Sequence, residues 1–221
     1  MLNDDSSYFA FRGAGSPGEH KTSTTFLVRL QDQDPAAWRE FTEIYAPLIK
    51  YWCRQRKDAL THAERQDILQ EVLQSVSLSI KKFDHTREER SFRGWLRRIT
   101  KCRIGDFFRE KAKDGQITRL AGDSDYWDIP LDEIDPEEET GERRVVLRQV
   151  LKRIRPEFQE KTWEVFQLLF VAEKASAEVA EMMGMTGMAV RQVRSRILRR
   201  IQAEYARLGI EMAPASAACV E

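Results

Sequence analysis

The stretch SAEVAEMMGMTGMAVRQVRSRILRRI, residues 176–201, carries the signals of two helices joined by a glycine turn. Ser176 is placed to cap the first helix, Gly184 suits the left-handed position that ends it, and Thr186 is placed to cap the second. Apolar residues recur on the second helix at intervals of three and four, at Val190, Val193, Ile197, Ile201 and Tyr205. The stretch therefore predicts a helix-turn-helix whose second helix has one face in a core.

The opposite face of that second helix is basic, with six arginines and one glutamate between Gly187 and Arg207. A helix-turn-helix inserts the start of its second helix into the major groove, where arginine reads guanine and glutamine reads adenine. We expect the DNA contacts to come from Thr186, Arg191, Gln192, Arg194, Ser195, Arg196 and Arg199. The later arginines of this set, together with Arg200, are better placed for phosphates. An ordinary hairpin with a solvated arginine face is the alternative, but the glycine, both caps and the one-sided charge coincide here.

The 221 residues have a formal net charge of zero, which hides two basic blocks and an acidic one. Residues 81–113 hold twelve Lys and Arg against five Asp and Glu, and residues 143–208 hold fourteen against seven. Residues 114–142 between them hold eleven acids and one arginine. Because salt screens charges beyond about 8 Å, a ligand bound at one basic block would feel the charge of that block and little of the net charge of the whole chain. The charge pattern thus permits an anionic partner.

Helix signals also fill the first half of the chain. Asp34 followed by Pro35 predicts a helix start, Pro47 predicts a kink or break, and Thr61 with Glu64 fits a capping box. Ser91 is placed to cap a helix whose core face we expect to hold Phe92, Trp95, Leu96, Ile99 and Phe107.

No run alternates in the manner of a strand, so we predict an all-α fold of two small helical domains joined by an acidic flexible linker. The expected boundaries are a disordered tail over 1–23, a first domain over 24–112, the linker over 113–141, a helix-turn-helix domain over 142–208 and a frayed end over 209–221.

Several classes of function lack their signals. The cysteines Cys53, Cys102 and Cys219 and the three histidines have no metal-ligand spacing, and no phosphate loop, GxSxG or HExxH motif occurs. We expect no enzyme activity, metal or cofactor. The start MLNDDSSYFAFRG lacks the apolar core of a signal peptide, and no run is long enough to span a bilayer, so we expect a cytoplasmic protein.

Four segments in order resemble the sigma-70 family of bacterial RNA polymerase sigma factors, in particular the small extracytoplasmic-function (ECF) group. They are FTEIYAPLIKYWCR at 41–54, DILQEVLQSV at 67–76, SFRGWLRRI at 91–99 and the helix-turn-helix. The resemblance implies that the first domain (region 2) binds the clamp of core polymerase and recognises and melts the promoter −10 element. It implies that the second domain (region 4) binds the polymerase flap and reads the −35 element. An anti-sigma factor is a further partner that the resemblance raises.

The resemblance also implies roles for individual residues. The stripe that faces the core polymerase clamp would be Asp67, Gln70, Glu71 and Gln74. The −10 element would be read by the loop Phe83–Arg90 and by Arg93, Arg97, Arg98, Lys101, Cys102, Arg103 and Arg109 on the helix after it. Cys102 stands where ECF factors often have asparagine, which predicts an altered −10 base preference. The acidic linker would run through polymerase, either filling channels meant for nucleic acid or serving as a tether, and both readings stay open.

A different class of function fits part of the same pattern. The chain could be a one-component regulator whose helix-turn-helix binds operator DNA and whose first half senses a ligand or dimerises. That reading predicts a ligand pocket or a dimer seam in residues 24–112, whereas the resemblance predicts a basic helix there.

Overall fold

The computed structural model describes residues 24–55, 60–84, 91–112 and 136–208, and every regular element in these ranges is helical. The helices are α1 Thr24–Gln31, α2 Pro35–Arg54, α3 His62–Ser79, α4 Phe92–Ala112, α5 Pro136–Ile154, α6 Glu160–Phe170, α7 Ser176–Met183 and α8 Gly187–Leu208, with single 3-10 turns at Ile80–Lys82 and Arg155–Glu157. The predicted all-α class is confirmed. The predicted tails at both ends, most of the loop Phe83–Arg90 and linker residues 113–135 lie outside the described residues.

The described chain divides into two compact units between residues 149 and 150. We call residues 24–149 the first unit and residues 150–208 the second unit. The division falls within α5, which begins at Pro136 and therefore inside the predicted linker 113–141. The sequence pattern placed residues 136–141 in the linker because they hold an acidic run, yet they form the first turn and a half of a helix.

Local capping chemistry starts the helices of the first unit. The Asp34 side chain accepts a hydrogen bond from Ala36 N at 2.8 Å, and Thr61 and Glu64 form the reciprocal bonds of a capping box. Ser91 Oγ accepts from Gly94 N at 3.0 Å at the start of α4. Helix α2 does not end at Pro47 but continues to Arg54, because buried residues on both sides of the proline hold it in the core.

An aromatic cluster at the centre of the first unit joins α2, α4 and the residue after the 3-10 turn. The Phe92 ring lies 5.4 Å from Tyr45, 5.5 Å from Phe83 and 5.6 Å from Trp95, measured between centroids. Phe92, Trp95, Leu96 and Ile99 are buried as predicted, while Phe107 is only half-buried. Burial of this face fixes the rotation of α4 and so decides which of its cations reach the surface.

The second unit is built around the predicted helix-turn-helix. Val165 of α6, Val179 and Ala180 of α7 and Val190 of α8 form its buried centre. Gly184 ends α7 at φ 60° and ψ 40°, the left-handed conformation that glycine adopts without steric cost. The prediction that Ser176 caps α7 is wrong. Helix α7 begins at Ser176 itself, so the cap position falls on Ala175, which has no side-chain acceptor.

Candidate nucleic-acid and polymerase interfaces

Helix α8 presents its predicted DNA-contacting residues on one accessible side. Thr186 caps the helix by accepting a hydrogen bond from Ala189 N at 3.2 Å, which fixes where α8 starts. The exposed members of the predicted set are Thr186, Arg191, Gln192, Arg194, Ser195, Arg196 and Arg199. Val190, Ile197 and Ile201 on the opposite side are buried. The structure thus brings the whole predicted −35 set to the surface of a correctly capped second helix.

Two arginines of this set also lie over aromatic rings of the second unit. The Arg194 guanidinium carbon is 5.7 Å from the centre of the Phe170 ring, and that of Arg196 is 5.5 Å from the Phe158 ring. Such contacts restrict the arginine side chains and leave their N–H groups on the surface. Both arginines therefore have a packing partner within the second unit.

Arg200, which the sequence pattern placed among the phosphate-binding residues, is occupied within the fold. Its guanidinium makes a two-point ion pair with Glu157, with both N–O distances 2.6 Å, and also pairs with Glu204 at 2.8 Å. Glu204 is completely buried and also pairs with Arg153 at 2.9 Å and Arg207 at 2.5 Å. Burial raises the pKa of Glu204, but hydrogen bonds from Arg207 and Arg200 outweigh it and hold the pKa below its ordinary value. The network joins α5, α8 and the 3-10 turn between α5 and α6.

On α4 the structure separates the predicted −10 residues into three groups. Arg93 and Arg97 form a pair one helical turn apart that lies against Glu142 of α5. Arg98, Lys101 and Cys102 are half-buried on the surface of α4. Burial raises the pKa of the Cys102 thiol, so the thiol stays protonated at neutral pH.

The third group consists of Arg103 and Arg109, which share one carboxylate. Arg103 Nη1 lies 2.9 Å from Asp106 Oδ2, and Arg109 pairs with the other oxygen of the same side chain. Arg103 is only 6 % exposed, so the structure does not bring it to the surface with the other cations. The signal was present in the sequence, since position 103 continues the buried series Phe92, Leu96 and Ile99 at an interval of four.

The predicted clamp-facing stripe lies along α3. Asp67, Gln70 and Gln74 are exposed, and Glu71 is half-buried with a pKa that burial raises above its ordinary value. Leu78, which we did not predict as a site residue, extends the stripe by one turn beyond Gln74 and is 56 % exposed. In the sequence, Leu78 is an apolar side chain four positions after the last residue of the polar stripe.

Met188 is a second exposed apolar residue that the sequence analysis did not single out. It lies in the first turn of α8, three positions before Arg191, and is 63 % exposed. A large exposed apolar residue at the groove end of a recognition helix can contact the methyl group of thymine. It belongs to the same accessible side as the predicted DNA contacts because residues three apart share a helix face.

None of the helices in the described ranges is long and apolar enough to cross a membrane. Within those ranges no group of three or more His, Cys, Asp or Glu side chains is arranged to hold a metal ion.

Comparisons with known proteins match two family models to the chain, one in each half. Residues 41–114 match the model for sigma-70 region 2, and residues 157–203 match the model for sigma-70 region 4. A search of curated proteins finds no match. Among solved structures, one described as CnrH in complex with the cytosolic domain of CnrY is similar at 15 % sequence identity, covering 82 % of this chain and 96 % of that chain. Its TM-score is 0.31.

Proposed function

Since the chain belongs to the sigma-70 family of RNA polymerase sigma factors, we propose that its first unit reads the −10 element through α4 and its second unit reads the −35 element through α8. The family assignment itself establishes a non-enzymatic, DNA-binding initiation factor that acts with core RNA polymerase at promoters.

The observation that carries the −35 assignment is the exposed cationic side of a capped second helix. Thr186 sets the start of α8, and Arg191 and Gln192 follow in its second turn, where they are exposed. Arginine and glutamine in this position can each make two hydrogen bonds to one base in the major groove. Arg199, further along, is suited to a phosphate contact.

The −10 assignment is supported by cations held on a rigid helix. The aromatic cluster fixes α4, and Arg93, Arg97, Arg98 and Lys101 lie on the parts of the helix that this packing leaves outside the core. A melted strand offers unpaired bases and closely spaced phosphates, which proteins bind with cations on a fixed scaffold. Arg103 of the same helix is buried and does not belong to this surface.

We propose that the stripe on α3 contacts core polymerase, with Leu78 as its apolar anchor beside Gln70 and Gln74. Interfaces gain most of their affinity from a few apolar or aromatic residues surrounded by polar ones, and this stripe has that composition.

We also propose that the chain is of the ECF group and acts in the cytoplasm with the polymerase. The matches to regions 2 and 4 are separated only by residues 115–156, which leaves a short connection between them. An anti-sigma partner stays a prediction of the sequence resemblance.

The test is transcription with purified components. We would add the full-length protein to core polymerase free of other sigma factors and supply a library of promoter fragments. We expect a stable complex with core and transcripts from fragments that share two elements. A protein that binds duplex DNA alone, but neither binds core nor starts transcripts, would instead be a one-component regulator.

A further inference from the structure

The buried carboxylate of Glu142 in α5 contacts two arginines of α4, Arg93 and Arg97. Glu142 Oε1 accepts a hydrogen bond from Arg97 Nη1 at 2.7 Å and another from the indole Nε1 of Trp52 at 2.6 Å. Glu142 Oε2 lies 3.8 Å from Arg93 Nε. All four residues belong to the first unit, so these contacts lie within one compact body.

The arrangement has the features of a built anion site. Glu142 is only 1 % exposed, and an ionised carboxylate at that depth is stable only when cations and hydrogen-bond donors surround it. Two guanidinium groups and one indole N–H lie beside the carboxylate, from two different helices, α2 and α4. Trp52 adds a donor that has no charge, which suits an oxygen of any anion.

Close approach of the helices makes this contact possible. A Cβ atom at Gly141, the neighbour of Glu142, would lie 2.6 Å from Cζ of Tyr51, the neighbour of Trp52. Only glycine lets this turn of α5 lie against this turn of α2 without moving the tyrosine ring. Glycine is otherwise unfavourable inside a helix, by roughly 1 kcal/mol relative to alanine. The contact therefore depends on a residue type that weakens the helix.

We propose that Trp52, Arg93 and Arg97 form an anion-binding site that holds the Glu142 carboxylate in the free chain and a phosphate of the −10 strand during initiation. The proposal rests on the proposed function of α4. Glu142 and a phosphate are both anions that need the same guanidinium groups, so they cannot occupy the site together. The acidic start of α5 then acts as an internal competitor, and the −10 strand binds only after Glu142 has left.

The experiment measures binding of a fluorescent single-stranded oligonucleotide, carrying the −10 sequence selected with the holoenzyme, to the free full-length chain. Glu142→Gln keeps the shape of the side chain and removes its charge. We expect it to tighten binding by about tenfold or more, the factor that loss of one charge-assisted contact to a competitor produces. Glu139→Gln is the matched control, because it removes the same charge from the same helix at a residue that pairs with Arg143 of α5 itself.

A second variant keeps Glu142 and disturbs the contact beside it. Gly141→Ala places a methyl group where the tip of the Tyr51 side chain lies, so this contact between α2 and α5 must rearrange, and we expect the variant also to tighten binding. A third arm replaces the phosphates of the oligonucleotide one at a time with neutral methylphosphonates. The increase in affinity caused by Glu142→Gln should be lost when the phosphate that enters the site is the one replaced.

The outcomes separate the two proposals. If Glu142→Gln and Glu139→Gln raise the oligonucleotide affinity equally, only net charge matters and the shared site is overturned. The shared site is also overturned if the higher affinity of Glu142→Gln persists with every methylphosphonate substitution. If Arg97→Ala weakens −10 binding in the holoenzyme but Glu142→Gln changes nothing in the free chain, α4 reads the −10 element and the competitor does not exist. If Arg97→Ala has no effect on −10 binding either, the −10 assignment of this face has failed and the shared site fails with it.

Discussion

Arg200 and Glu157 face each other across the second unit in a two-point ion pair, with Arg200 Nε and Nη2 each 2.6 Å from a carboxylate oxygen. The pair closes the 3-10 turn at Arg155–Glu157 against α8, 43 positions away in the sequence. Arg200 also reaches the buried Glu204. Arg200 thus stabilises the second unit from within, whereas its neighbour Arg199 is exposed.

Arg200→Ala should therefore reduce stability. Removing a charged partner of a buried carboxylate costs about 1–3 kcal/mol, and Glu204 would keep Arg153 and Arg207 as partial compensation. The measurement is denaturant unfolding, followed by the fluorine NMR signal of a fluorinated Trp163. This signal reports on the second unit, because Trp163 is the one tryptophan between residues 150 and 208. Arg199→Ala is the control and should leave the midpoint nearly unchanged. Equal stability of both variants would contradict the structural role.

Acid should weaken the second unit through Glu204. Its pKa in the folded chain lies below the ordinary value of 4.5, so the ionised form is favoured by folding. The resulting stability is complete above about pH 4.5 and is lost as the pH falls through the lower folded pKa. In Glu204→Gln we expect lower stability at neutral pH and a shallower loss between neutral and acid pH. Glu164→Gln, at an exposed position of α6, serves as the matched control and should keep the pH profile of the parent chain.

Substitutions at the start of α8 should affect promoter recognition alone. Arg191→Ala with Arg194→Ala should weaken binding to the −35 element, by about 1–3 kcal/mol for each base contact that is lost, while binding to core polymerase survives. Lys161→Ala removes an exposed cation from α6 of the same unit and should change −35 binding little. Loss of core binding in the arginine variant would contradict the assignment of the recognition helix.

Leu78→Ala should weaken assembly with core polymerase. Burying a leucine side chain in an interface contributes about 1.5–3 kcal/mol, and Leu78 is now exposed, so the folded free chain should lose little stability. Titration of core polymerase with labelled protein measures the difference. Val28→Ala changes another exposed apolar residue, on α1, and should leave the affinity as it was. A matching loss in both variants would mean that α3 has no special part in assembly.

Cys102→Asn should change the −10 sequence that the holoenzyme selects from a promoter library. The thiol is a weak hydrogen-bond partner, whereas an amide both donates and accepts, and position 102 is half-buried on the surface of α4. Cys102→Ala tests the role of side-chain size without adding polar groups. An unchanged consensus in both variants would show that this position does not face a base.

The sequence allowed prediction of those features whose chemistry is local. The caps at Asp34, Thr61 and Thr186 use partners two or three positions away, and Gly184 is read from its own backbone preference. The exposed side of α8 followed from helical periodicity for the same reason.

Features that join distant segments could not be read in this way. Glu142 and Trp52 are 90 positions apart, and nothing near Glu142 distinguishes it from the other acids of the acidic block at residues 114–142. Arg200 looks like any other arginine of α8 until Glu157 is brought beside it by the fold. The assignment of cations to DNA or to internal pairing therefore needs tertiary structure.

The glycine at position 141 has a consequence for anyone who would engineer this factor. A screen for heat resistance favours alanine over glycine inside helices and would select Gly141→Ala if Tyr51 can yield. Under the shared-site proposal, the same change would also disturb the contact between α2 and α5 next to Glu142 and raise the affinity of the free chain for single-stranded DNA. Selection for thermal stability and selection for weak DNA binding by the free chain therefore favour different residues at position 141.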